Sequence, residues 1–202
     1  LVCITTTTLA GTFSIDPAVL SDTVHFQSSA KLEFVEGMTS NIAGSIAVNP
    51  DSMPFGATGS FQVDLRTLKT GIDLRDEHMR ERHLHTDKYP FAFFTIDSVT
   101  GCPQTLRADS TYQIQATGKF YLHGVWRPIA VTAEVRRGQI YLGGESLSIR
   151  ARFALKLDEF GVPRPKALFL KLAETINVEV IFTAANNLAS SSIILPNWPE
   201  RK

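Results

Sequence analysis

The feature that most constrains this chain is strict alternation of apolar and polar residues, repeated along most of its length. It is cleanest at Leu147, Ile149, Ala151, Phe153, Leu155 and Leu157, with Ser148, Arg150, Arg152, Ala154 and Lys156 between them. Period-two alternation places the first set on one face of a strand and the second on the other. The same pattern runs through Ile114, Ala116, Gly118, Phe120 and Leu122, through Ile129, Val131, Ala133 and Val135, and through Ile176, Val178, Val180 and Phe182. About eight or nine strands, each with one apolar face, have to bury those faces in a sandwich or a closed barrel.

Earlier in the chain, Val24, Phe26, Ala30, Leu32 and Phe34 share one parity and predict a single long half-buried strand. Ile42, Gly44, Ile46 and Val48 make the next strand, ended by Asn49-Pro50-Asp51, and Phe61, Val63 and Leu65 a third. Near position 94 two sets compete for the interior: Ala92, Phe94 and Ile96 against Phe91, Phe93 and Thr95. Gly124 and Pro128 are expected to flank a turn, and Arg136-Arg137-Gly138 to turn the chain toward Ile140 to Leu142. Hairpin-scale connections favour antiparallel order. Strands of about 10–13 residues would run roughly 33–43 Å, and eight of them closed on themselves hold side chains or one elongated ligand.

One block breaks the alternation. From Asp73 to about Leu84 the chain is rich in Arg, Glu and Met, and Asp73 can cap a helix start. A short surface helix or helical loop at the barrel mouth is expected there. Residues 1–22 read as an extended N-terminal arm, residues 23–185 as the barrel domain, and the Ser-rich, Pro-broken residues 186–202 as a loosely packed C-terminal tail.

Composition narrows the function. With 202 residues and 44% hydrophobic residues, one domain with a substantial core is expected. Twenty acidic residues balance twenty basic ones, which argues against a nucleic-acid partner. No apolar run reaches the roughly 18 residues of a membrane-spanning helix, and no signal peptide is visible. The chain begins at Leu1 rather than Met, so trimming is expected. Cys3 and Cys102 leave a bridge, free thiols and an intermolecular bond all open.

Ordered motifs carry a family resemblance. They are Ser60-Phe61-Gln62-Val63-Asp64-Leu65, Leu68-Lys69-Thr70-Gly71, Arg75-Asp76-Glu77-His78-Met79-Arg80, and Asp87-Lys88-Tyr89-Pro90 followed by Phe94. Thr117 to Val125 with Pro128-Ile129, and Asp158-Glu159-Phe160-Gly161-Val162, complete the series. In this order the chain resembles the YceI family, the lipocalin-like polyisoprenoid-binding proteins of bacteria. His25 is followed by Phe26 where the family usually has Ser, and the tail beyond Asn186 has no counterpart.

The resemblance implies an all-β, eight-stranded antiparallel lipocalin-like barrel with a short helical insertion. It implies a periplasmic or otherwise exported protein whose barrel holds a long isoprenoid, a quinone tail or a similar lipid. It also favours Ala92, Phe94 and Ile96 as interior, with Phe91 and Phe93 outside under the inserted helix. The expected ligand-binding set is Phe26, Ala30, Leu32, Phe34, Ile46, Phe61, Phe94, Ile114, Phe120, Ile149, Phe153, Val178 and Phe182, with Arg75 and His78 at the mouth. Small residues at Ala30, Gly44, Ala116, Gly118 and Ala151 would leave room inside. No cofactor is expected beyond a bound isoprenoid lipid or quinone, no catalysis is expected, and dimerisation stays open.

Two other classes compete. A metal-assisted enzyme would use His78, His83 and His85, with Glu77 and Glu81. The His-x4-His-x-His spacing does not put two imidazoles on one helical face, so no metal site is expected. A network of Arg75, Asp76 and His78 pinning the insertion, and a turn-stabilising His123, are the structural readings of those side chains. A structural or stress-response module would have its barrel packed solid.

Overall fold

The computed structural model describes residues 10–16, 21–30, 33–53, 56–140, 144–163 and 173–186. Ten strands form one antiparallel sheet: β1 (Gly11–Ile15), β2 (Thr23–Ala30), β3 (Glu33–Thr39), β4 (Ile42–Val48), β5 (Ala57–Asp64), β6 (Phe91–Thr100), β7 (Thr111–Leu122), β8 (Val125–Gln139), β9 (Glu145–Lys156) and β10 (Thr175–Ala185). They make eight staves. β1 and β2 both lie along β10, and β3 and β4 lie in turn along β2 and β1. The first stave is therefore β1 plus β2, and the second β3 plus β4. β5 to β10 follow as a meander, and the pairing of β10 with both halves of the first stave closes the barrel.

The register explains where the alternation misleads. Ala30 pairs with Glu33 across a two-residue connection, so the single strand expected over 24–34 is a hairpin. Pairs in this ladder sum to an odd number, so the inward parity changes from even in β2 to odd in β3. Val35 is buried, whereas Phe34 is 55% exposed on the outer face. Phe34 is thus not an interior residue. The parity switches back after Ser40-Asn41, and Ile42, Ile46 and Val48 are buried. Part of the expected N-terminal arm is also a stave: Phe13 and Ile15 in β1 are fully buried.

Two turns fall elsewhere than the sequence suggests. Pro128 sits within β8, paired with Lys119, and the turn is His123-Gly124, both at positive φ (51° and 85°). Left-handed φ at two consecutive residues is the geometry of a tight hairpin turn that matches strand twist. Arg136, Arg137 and Gly138 continue β8 rather than ending it.

Connections alternate between the two ends. One end is closed by the loops after β4 and β6, which bury Met53 (3% exposed) and Leu106 (1%). Arg137 ties them together. It donates to Asp51 Oδ1 at 2.6 Å and to the Leu106 carbonyl at 3.0 Å, and it also pairs with Glu145. The Arg137 guanidinium holds the Asp51 carboxyl below its usual range. The opposite end carries the β5–β6 insertion, the His123-Gly124 turn, the paired ends of β2 and β3 and the segment after β9.

Several glycines serve close packing rather than leaving space. A Cβ at Gly118 would lie 2.0 Å from the Thr95 carbonyl and 2.7 Å from the Phe94 ring, and one at Gly44 would lie 2.7 Å from the Phe61 ring. Each glycine lets a phenylalanine from the neighbouring strand fold over it. The expectation that these two positions enlarge the interior is therefore corrected.

Candidate functional site

The barrel is hollow. A cavity of about 840 Å³ runs from Met53 and Leu106 at the closed end to Ile72, Leu74 and Arg75 at the other. That lies within the range of small-molecule sites. Buried side chains form two clusters, one around Phe13, Ile46, Ile149 and Phe182 and one around Leu65, Phe120, Leu155 and Phe160. Between them Phe61, Phe94, Ala151, Phe153 and Val178 point inward yet stay only half-buried, because they face open space.

Most of the expected interior set lines this cavity: Phe26, Ile46, Phe61, Phe94, Ile114, Phe120, Ile149, Phe153, Val178 and Phe182. Ring pairs stiffen the wall, with Phe61 5.3 Å from Phe182 and 6.4 Å from Phe94, and Phe120 5.5 Å from Phe153. The Ala30 side chain and Leu32 lie outside the described residues. Ala92, Phe94 and Ile96 take the inward parity. Phe93 is buried against Phe91 and Tyr121, and Arg66 caps the Phe91 ring at 5.1 Å. The Arg66 contact puts this aromatic patch beside the turn after β5.

The insertion is built in two pieces. Helix α1 (Asp73–His78) leads directly into a π-helical turn over Met79–Leu84, and a short 3-10 turn, Leu65–Thr67, precedes both. Ile72, not Asp73, holds the N-cap position, and no side chain caps it. Leu65, Leu68 and Leu84 bury their side chains and anchor the block. Asp76, 5% exposed, accepts from the Thr70 N–H at 2.7 Å and from its hydroxyl, while Arg75 donates to the Thr70 hydroxyl at 2.8 Å and carbonyl at 3.0 Å. This is the expected pinning network, with Thr70 in the place foreseen for His78. His78 instead lines the cavity opening, as do Arg75, Arg82 and His83. Together with Thr70 these are the polar groups among the described lining residues, and no carboxylate is one of them.

The imidazoles of the insertion diverge. His83 Nδ1 contacts the Pro163 carbonyl at 2.6 Å, and His85 Nδ1 contacts His123 Nε2 at 2.7 Å. Among the described residues no three His, Cys, Asp or Glu side chains come together as metal ligands. His123 does more than steady its own turn. Its Nδ1 reaches the Phe160 carbonyl at 3.3 Å, and Tyr89 packs on its ring at 4.8 Å. It joins the end of the insertion to the β7–β8 turn and to the segment after β9. Burial pushes its pKa down, and His85 and Lys88 add to that. The Cys102 thiol is half-buried and unbridged, with its pKa raised by burial. Cys3 lies outside the described residues.

The YceI-like domain model matches residues 13–184, all but the outermost residues of this barrel. The chain belongs to the YceI family. Two UPF0312 proteins of Pseudomonas putida are 33% identical over 121 residues, 58% of this chain and 59% of theirs, so the chain spans less than two thirds of those relatives. A UPF0312 protein of Vibrio vulnificus is 26% identical over 157 residues, 76% of this chain and 79% of its own length. Among solved structures, a polyisoprenoid binding domain from Saccharophagus degradans, implicated in plant cell wall breakdown, superposes with a TM-score of 0.65 at 18% identity, covering 88% of this chain and 99% of that one. BcnA of Burkholderia cenocepacia superposes at 0.64 with 16% identity, covering 84% and 99%. At such identities the structures share the YceI fold with this chain.

Proposed function

We propose that this chain binds a long-chain amphiphilic lipid, a polyisoprenoid or an isoprenoid quinone, and carries it in the barrel interior by burial rather than by chemistry. The observation that carries this reading is the continuous apolar cavity, closed at one end and polar only at the other. Each methylene taken from water into such a space gains about 0.8 kcal/mol, so affinity grows with tail length and needs few polar contacts. Arg75 and His78 stand where the head group of a tail-first ligand would rest. The Saccharophagus domain of the same fold is described as polyisoprenoid binding, which supports the ligand class. An exported, periplasmic location fits a protein that handles envelope lipids.

The hollow interior speaks against a solid structural module. The scattered imidazoles offer nothing that favours a metal-assisted enzyme. Titration of delipidated protein with prenyl alcohols of increasing length tests the carrier reading. Affinity should climb steeply with each added isoprene unit until the cavity is full. Equal affinity for short and long tails would exclude burial as the source of binding.

A further inference from the structure

The described residues leave four large hydrophobic side chains exposed: Phe34 (55%), Met38 (52%), Ile72 (54%) and Leu74 (62%). All four lie at the open end of the barrel. Phe34 and Met38 share the outer face of β3 with the exposed Glu36 between them, and the far edge of β3 is met by the bridge between Met38 and Lys69 and by the contact of the Thr39 and Thr67 hydroxyls at 2.6 Å. Ile72 lies three residues beyond Lys69, and Leu74 follows in α1. Ile72 and Leu74 are exposed and also border the cavity, so at these two residues the apolar wall reaches the outer surface, beside the polar Thr70, Arg75 and His78.

Four large apolar side chains left exposed around one opening, with the charged Glu36, Lys69 and Asp73 interspersed among them, form surface of the kind that marks an interaction site. We propose that the rim formed by Phe34, Met38, Ile72 and Leu74 docks on a lipid bilayer, seating in the boundary between head groups and acyl chains so that the cavity opens directly into the membrane. This rests on the carrier reading above. A long isoprenoid tail is held in membranes, and a mouth that meets the bilayer spares it a passage through water. Charge at the opening fits the same partner. Arg75, Arg82, His78 and His83 line it without a lining carboxylate, which suits phosphodiester head groups. Asp73, Glu77 and Glu81 offset those cations on the insertion, so apolar contact supplies most of the binding.

The test uses the delipidated full chain and vesicles of equal parts phosphatidylcholine and phosphatidylglycerol, read by flotation. The comparison is the double variant Phe34→Ser, Met38→Ser, since neither side chain lines the cavity. The wild type should float with the vesicles, and the double variant should partition at least about tenfold more weakly, the low end of what losing two inserted apolar side chains gives. Its binding of a detergent-free prenyl fluorophore should match the wild type. A wild type that binds the fluorophore but stays unbound to vesicles overturns the docking proposal and leaves the carrier reading standing. Equal flotation of the two proteins also overturns it. So does light scattering that finds a wild-type dimer made monomeric by the double substitution, which would assign the β3 face to a second copy of the chain.

Discussion

Replacing Ala151 with phenylalanine separates a hollow barrel from a packed one. Ala151 sits mid-strand in β9, paired with Ala133 and Val180, and its half-buried methyl faces the cavity. A benzyl group there enters open space. Full burial of a phenylalanine is worth about 1.5–3 kcal/mol, and allowing for the alanine already present and for a partly exposed ring, about 1 kcal/mol of stabilisation remains. For a chain of this size that raises the Tm of the delipidated protein by roughly 2–4 °C. The ring also takes space from a tail. Displacing only two or three methylenes costs about 2 kcal/mol, or about thirtyfold in affinity. Differential scanning calorimetry and a prenyl-lipid titration read the two effects. In a filled interior the same substitution would overpack, costing about 1–3 kcal/mol. A lowered Tm with unchanged lipid affinity would therefore refute the cavity as the binding site.

Three further outcomes are expected. Gly118→Ala should destabilise by about 1–3 kcal/mol or more in urea unfolding, because its Cβ meets the Thr95 backbone carbonyl, which cannot swing aside. Asp22 is 2% exposed, accepts from the Thr183 N–H at 3.1 Å and has a pKa raised chiefly by burial. The folded state thus disfavours its charged form, and stability is lost as pH rises through the folded pKa, so Asp22→Asn should stabilise near pH 7 and lose that advantage as pH falls toward 3.8. His123 has a pKa depressed from 6.5, so its contribution is full above 6.5 and declines as pH falls toward the folded value, where unfolded chains take up a proton that the folded chain refuses. Unfolding at pH 7.5 and 5.5 should show this loss in the wild type and less of it in His123→Asn, a residue that tolerates the left-handed backbone there.

The barrel was legible because inward residues alternate over whole strands, as from Leu147 to Leu155, and such runs admit one geometry. Phe34 reads as interior because Lys31-Leu32 carries no Gly, Pro or Asn, so two strands of opposite parity look like one. The same blindness hid β1, where only Phe13 and Ile15 mark a stave. Gly44 and Gly118 read as spare volume because a sequence shows what a glycine lacks and not which ring lies over it. At the mouth, the placing of the insertion over the opening suggests Arg75 and His78 as head-group contacts, but not Arg82 and His83, since the π-helical turn that brings them to the opening leaves no spacing signature. The contact between His85 and His123 spans 38 positions and has no local signal at all. The exposed rim of Met38, Ile72 and Leu74 emerges only when β3 and the insertion are seen side by side.

The central claim is that the cavity holds a lipid tail, and organic extraction of protein purified without detergent tests it most directly. Mass spectrometry of the extract should find an isoprenoid lipid at close to one per chain in the wild type and well below that in Ala151→Phe. An extract with no long-chain lipid, from protein whose interior also refuses added prenyl ligands, would contradict the account.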